Sequence, residues 1–143
     1  MNDQTILTPT LDSSTLKQVD IFLENCYSQS IEAGKELAKV GLKKSQINGL
    51  QTLVNSTRRF SEIFNFIKSQ AGKERAKKEQ WRKVADRLLS QLEALEQQAH
   101  QLGKGDPGKT LDIKLRLARG WAKQVVAHYL WARKDKDDDD DDR

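Results

Sequence analysis

Residues 89–110 read LSQLEALEQQAHQLGKGDPGKT, and two incompatible structures compete for them. The last eight, Gly103-Lys104-Gly105-Asp106-Pro107-Gly108-Lys109-Thr110, match the nucleotide-binding pattern G-x-x-x-x-G-K-[ST] letter for letter. In such a loop, glycine-rich backbone amides wrap the phosphates, the lysine reaches the terminal phosphates and the hydroxyl binds magnesium. That geometry requires a strand entering the loop and a parallel sheet beside it. The residues before Gly103 instead place Leu92, Leu95, Ala99 and Leu102 at steps of three and four, the period of a helix. No later apolar stretch ends in an acid able to serve as a second magnesium ligand. The octapeptide therefore reads as a turn between antiparallel helices, with Asp-Pro-Gly setting the reversal and Thr110 capping the next helix. A third reading keeps a ligand: free amides at that helix start, with Lys104 and Lys109, hold one nucleic-acid phosphate.

The helical period extends both ways from this turn. Downstream, Leu111, Leu115, Ala118, Ala122, Val125 and Tyr129 line one side of a segment from about 110 to 134, widened by Leu117, Trp121, Leu130 and Trp131. Upstream, the leucine seam begins at Trp81, preceded by a polar run, KERAKKEQ at 73–80, that is expected to project or to bind something. Earlier still, Ser45 is expected to cap a segment with Ile47, Leu50, Val54, Phe64 and Ile67 on one face, closed by Gly72. Asp12, Ser13 and Ser14 precede a first segment carrying Leu16, Val19, Leu23, Cys26 and Leu37, ending near Gly41. The expected fold is all-α, an elongated bundle of about four to five antiparallel helices, because a 25-residue helix is about 37 Å long. The 143 residues suffice for one domain, placed at 15–134 between a flexible segment at 1–14 and a disordered poly-Asp tail at 135–143. Gly34, Gly49 and Gly120 interrupt helical patterns at about 1 kcal/mol each relative to Ala, which implies close approach of another helix or partner.

The net charge of +4 averages over segments of opposite sign. Residues 135–143 have seven Asp against two bases, hence −5, and residues 1–36 have six acids against two bases, hence −4. Residues 37–134 hold 21 bases and 8 acids, hence +13, as expected if the middle of the chain meets a polyanion. Within 73–87, Glu74 with Lys78, Glu79 with Lys83 and Arg82 with Asp86 have the spacing of helical ion pairs, which leaves Lys73, Arg75, Lys77 and Arg87 unpaired. Arg116, Arg119 and Lys123 form a one-sided stripe about 10 Å long. Arg58 and Arg59 are flanked by Asn55, Thr57 and Ser61, suitable partners for phosphate or ribose hydroxyls. Any one stripe is accounted for by solvation of a helix face; three inside a +13 segment favour a nucleic-acid surface. Its candidate residues are Arg58, Arg59, Lys73, Arg75, Lys77, Arg87, Lys104, Lys109, Arg116, Arg119 and Lys123.

Other classes find little support. No apolar run is long enough to span a membrane, and the start MNDQTILTPTLDSS lacks a basic and then apolar leader, so a cytoplasmic protein is expected. One cysteine and two histidines offer no metal-ligand set and imply no cofactor; Cys26 reads as a small buried hydrophobe. Glu93 and Glu96 read as solvated carboxylates beside a leucine seam, His100 as a surface residue, and His128 as a packing or interface contact. No nucleophile with a base and an orienting acid can be assembled, so no enzyme is expected. The three tryptophans read as core residues before base-stacking platforms.

The run Lys43-Lys44-Ser45-Gln46-Ile47-Asn48-Gly49-Leu50, the long helix after it, the basic linker and the closing LRLARGWAKQVVAHYLWARK at 115–134 resemble the small helical subunit of type III CRISPR effector complexes, the Csm/Cmr kind. The resemblance covers about residues 15–134; the acidic first segment and the poly-Asp tail depart from it. It implies a non-catalytic bundle, present in several copies stacked head to tail. Such copies hold the target strand paired to guide RNA and touch the complex's backbone and large subunits. Base pairing would supply specificity, and the protein would neutralise phosphates. The alternative is a helical adaptor whose basic surface docks an acidic protein and which has no nucleic-acid function.

Overall fold

The structure, a computed structural model, describes residues 11–133; the expected poly-Asp tail and nearly all of the expected flexible N-terminal segment lie outside them. The described residues are helical throughout, with no strand: α1 Ser13–Asn25, α2 Tyr27–Lys39, α3 Lys44–Ser56, α4 Ser61–Lys73, a 3-10 turn at Ala76–Lys78, α5 Trp81–Gly103 and α6 Pro107–Ala132. The all-α expectation holds. The count of helices exceeds it, because two expected segments are each broken once.

The first break is at Cys26, whose ψ of 15° ends α1. Its N–H still donates to the Phe22 carbonyl at 3.0 Å, and its own carbonyl accepts the Ser30 N–H at 3.1 Å, so the chain restarts as α2 without a loop. The second is at Thr57, which turns extended at ψ 150°. Its hydroxyl accepts the Arg59 N–H at 3.1 Å and donates to the Arg59 carbonyl at 3.2 Å. A side chain that satisfies nearby backbone groups in this way competes with helix. The end of α2 is as expected: Gly41 takes φ +85°, and Leu42 N–H reaches back to the Leu37 carbonyl at 3.3 Å, with both leucines buried.

Two expected caps move. Helix α3 starts at Lys44, with Gln46 Oε1 accepting the Lys43 N–H at 2.8 Å; Ser45 is inside the helix. In the α5–α6 turn, Lys104 takes a left-handed φ of 50° and Gly105 one of 85°, after which Asp106, not Thr110, caps α6 by accepting the Lys109 N–H at 3.0 Å. Pro107 follows at the first helical position, where its missing N–H costs nothing. Thr110 is instead buried against Gly103, where any added Cβ would collide with its hydroxyl.

The polar run at 73–80 leaves the helix. Glu74 reaches forward so that its carboxylate accepts the N–H groups of Gln80 (3.0 Å), Trp81 (2.7 Å) and Arg82 (3.0 Å) at the start of α5, where the Gln80 N–H also reaches the Lys78 carbonyl at 3.1 Å. Gln80 Nε2 donates to the carbonyls of Val40 and Gly41, which fastens the linker to the end of α2. Because 74–80 is not α-helical, the ion pairs expected for Glu74 and Glu79 do not form.

Helix α6 is the hub, packed against α1, α2, α3 and α5, while α4 packs on α5 and α3. Helices α5 and α6 run antiparallel, as three matched contacts show: Gln91 with Trp121, Glu96 with Lys114, and Gly103 with Thr110. Leu37, Ile47, Leu50, Ile63, Leu88, Leu92, Ile113, Trp121 and Tyr129 are among the side chains buried in one continuous core. The expected close approaches occur at two of the three glycines. A Cβ on Gly34 would lie 2.6 Å from the Val125 carbonyl of α6, and one on Gly120 would strike Leu23 of α1. Gly49 makes none; its nearest neighbour, Phe66, would be 3.9 Å away.

Candidate nucleic-acid interface

Helix α6 buries Ile113, Leu117, Trp121 and Val125, and this turns Arg116, Arg119 and Lys123 outward. Helix α3 buries Ile47, Leu50 and Val54 and so carries Gln51 and Asn55 up one flank of α6. On the other flank, α1 settles because Gly120 has no side chain to hold Leu23 away. Between the three helices lies a cleft of about 550 Å³, lined by Val19, Asp20, Leu23, Gln51, Asn55, Arg116, Arg119, Gly120 and Lys123.

Among the described residues, none of Arg116, Arg119 and Lys123 forms an ion pair or a side-chain hydrogen bond, so their donors face the cleft and solvent. They rise along α6 in steps of about 4.5 and 6 Å. Such a ladder can take successive phosphates of one strand, with each guanidinium offering a planar fork of donors. The Gln51 and Asn55 amides can both donate and accept, which suits ribose hydroxyls or base edges. Asp20 is the one acid among the described residues that line the cleft, so its α1 wall is the least hospitable to phosphate.

The other candidate residues do not join this cleft. Lys73, Arg75 and Lys77 line a second opening of about 740 Å³, together with Lys78, Gln46 and Gln80. Gln46 and Asn55 are nine residues apart on α3, about half a turn out of phase, so the two basic openings face opposite sides of that helix. The three expected stripes are therefore not one continuous surface. Arg58 and Arg59 are exposed in the α3–α4 turn, where Arg59 Nη1 lies 3.5 Å from Glu62 Oε2, an exposed pair of little energetic weight. Arg87 is not unpaired: its Nε donates to Glu36 Oε1 and ties α5 to α2. Lys104 lies in the α5–α6 turn and Lys109 in the first turn of α6, both close enough for their charges to act on Asp12. The Thr15 hydrogen bonds chiefly, and those lysines secondarily, hold the Asp12 carboxyl below its ordinary value. Phosphate capture at the start of α6 meets a competitor, the Asp106 carboxylate already on the Lys109 N–H.

Trp81 and Trp121 are buried, and Trp121 Nε1 donates to Gln91 Oε1 at 2.8 Å; Trp131 is 87% exposed. Cys26 is buried, and desolvation raises its thiol pKa above the ordinary value. His128 makes the expected packing contact, with Nε2 2.8 Å from the Tyr27 hydroxyl. Glu96 is held by Lys114 at 3.2 Å and forms no pair with Glu93. Among the described residues there is no group of three or more potential metal ligands, and no helix is long and apolar enough to cross a membrane.

The stripe on α6 is readable in sequence; Gln51 and Asp20 are not. They reach the cleft from α3 and α1, and the only local signal is the one-turn spacing of Gln51 and Asn55. Fold and site together define a class, an all-helical protein with a one-sided cationic cleft between three helices. No protein-family model, curated protein or solved structure matches the chain.

Proposed function

We propose that the protein is a non-catalytic, elongated helical bundle that binds the phosphate backbone of nucleic acid in the cleft between α1, α3 and α6. One observation carries the reading: three cations that have no protein partner among the described residues are aligned on one helix, with two amide side chains beside them. Phosphates lie along Arg116, Arg119 and Lys123, and Gln51 and Asn55 meet the sugars. The protein itself reads no sequence. The resemblance carried by residues 43–50 and 115–134 supplies the setting: a cytoplasmic small subunit of a type III CRISPR ribonucleoprotein, stacked in several copies on the guide–target strand against the backbone and large subunits. The second basic opening, around Lys73, Arg75 and Lys77, then serves a neighbouring strand or an acidic subunit.

Titration of the purified chain with labelled RNAs of equal length and different sequence, across a salt series, tests this. Affinity should fall linearly in log–log coordinates with salt and vary little among sequences. Absence of binding at low salt, or binding indifferent to salt, would refute it.

A further inference from the structure

The cationic ladder does not end at Lys123. Arg116, Gly120, Lys123, Ala127 and Trp131 follow one another at steps of four, three, four and four, and so fall within about 80° of arc on α6. Trp131 closes this line about 22 Å from Arg116. It is 87% exposed, with Leu130, 46% exposed, beside it. Among the described residues no aromatic or cationic side chain covers its ring. Scattered exposed apolar residues need no occupant. An indole this bare, in line with Arg116 and Lys123, which have no protein partner among the described residues, has the makeup of a single-strand binding track, in which basic groups follow the backbone and an aromatic ring takes a base.

We propose that Trp131 is a base-stacking platform and that the α6 face therefore takes a strand with an unpaired, unstacked base, which a fully paired duplex does not offer. The proposal rests on the backbone-binding reading of the cleft and adds the ligand class to it. The three cations select a polyanion over an apolar protein partner for this face. In a duplex each base is stacked between neighbours, so only an unpaired base can lie on the indole. The strand would run from phosphates on Arg116, Arg119 and Lys123 to a base on Trp131, a span of a few nucleotides.

The test compares the wild-type chain, Trp131→Ala and Trp131→Phe against a single-stranded RNA oligonucleotide of about twelve nucleotides and a blunt duplex of the same length. Affinity is read by anisotropy, and intrinsic indole emission is followed throughout. Because Trp81 and Trp121 are buried, a quench on RNA binding reports Trp131. Single-stranded RNA should quench the wild-type emission, and Trp131→Ala should lose about 5- to 100-fold in single-strand affinity while duplex affinity stays within about twofold. Trp131→Phe, which keeps a ring, should recover most of the loss. Equal losses for strand and duplex, unchanged emission at saturation, or undiminished single-strand affinity in Trp131→Ala would each overturn the platform. Self-association that disappears in Trp131→Ala with RNA affinity intact would do the same and mark the face as a protein contact. A wild-type chain that binds neither RNA would refute the cleft itself, which separates that failure from failure of the platform.

Discussion

Replacing Gly34 by alanine sets two effects of opposite sign against each other. Glycine inside a helix is worth about 1 kcal/mol less than alanine, so helix propensity alone favours the substitution. The packing opposes it. The new Cβ would lie 2.6 Å from the Val125 carbonyl oxygen and 2.8 Å from the Tyr129 nitrogen, both backbone atoms inside α6, and 2.9 Å from His128 Cβ. Helical backbone cannot step aside as a flexible side chain can, so α2 and α6 must separate. Overpacking of this kind costs about 1–3 kcal/mol. Separation also stretches the hydrogen bonds from Tyr129 to the Leu42 carbonyl (2.6 Å) and from Ser30 to Gln124 (2.9 Å), each worth about 1 kcal/mol. Gly34→Ala should therefore destabilise by about 1–3 kcal/mol in net. Gly49→Ala is the control: it is also helical, but exposed, with its nearest neighbour 3.9 Å away, and should stabilise by up to about 1 kcal/mol. Urea unfolding followed by circular dichroism gives both values, provided the three proteins share one m-value. If Gly34→Ala gains stability as Gly49→Ala does, the α2–α6 approach is wrong.

Three further outcomes follow from the local chemistry. Glu74→Ala removes the acceptor of three backbone N–H groups at the start of α5 and should cost about 1–2 kcal/mol in urea unfolding, with Glu74→Gln falling between. For Asp12, the folded state holds the carboxyl below its ordinary value of 3.8, so its contribution is complete above that pH and fades as pH falls through the lower folded value. Asp12→Asn should lack that acid component in a pH series of melting temperatures, and an unaltered acid limb would count against the cap. Cys26, with its thiol pKa raised by burial, should react with a thiol reagent at neutral pH far more slowly in the folded protein than in urea; equal rates would place it at the surface.

What the sequence discloses divides along a physical line. Features set by one helix were legible: the period of α6, the glycine stop at Gly41, the stripe of Arg116, Arg119 and Lys123, and the close approaches at Gly34 and Gly120. Features in which a side chain answers a distant or non-periodic need were not. The apolar pattern passes through Cys26 unbroken, so the break there leaves no mark in hydrophobic spacing; the break at Thr57 is marked only by the polar run NSTRR at 55–59. Glu74 resembles half of a helical ion pair until the chain turns and brings it onto the amides of Gln80, Trp81 and Arg82. Arg87 looks unpaired only because Glu36 is on another helix. The basic residues were legible as a composition but not as surfaces, since the position of α3 between them decides which share a cleft. Asp20 and Gln51 come to the site through packing alone.

Phosphate binding in the cleft depends on the α6 cations Arg116, Arg119 and Lys123. Arg116→Glu, Arg119→Glu and Lys123→Glu together, at exposed positions where circular dichroism can verify the fold, alter little else. Salt dependence of binding to single-stranded RNA is the direct measure, because each phosphate contact contributes about 0.7 to the log–log slope. The triple variant should bind more weakly at every salt concentration, with a slope shallower by about 2. Affinity and slope equal to those of the wild-type chain would contradict it.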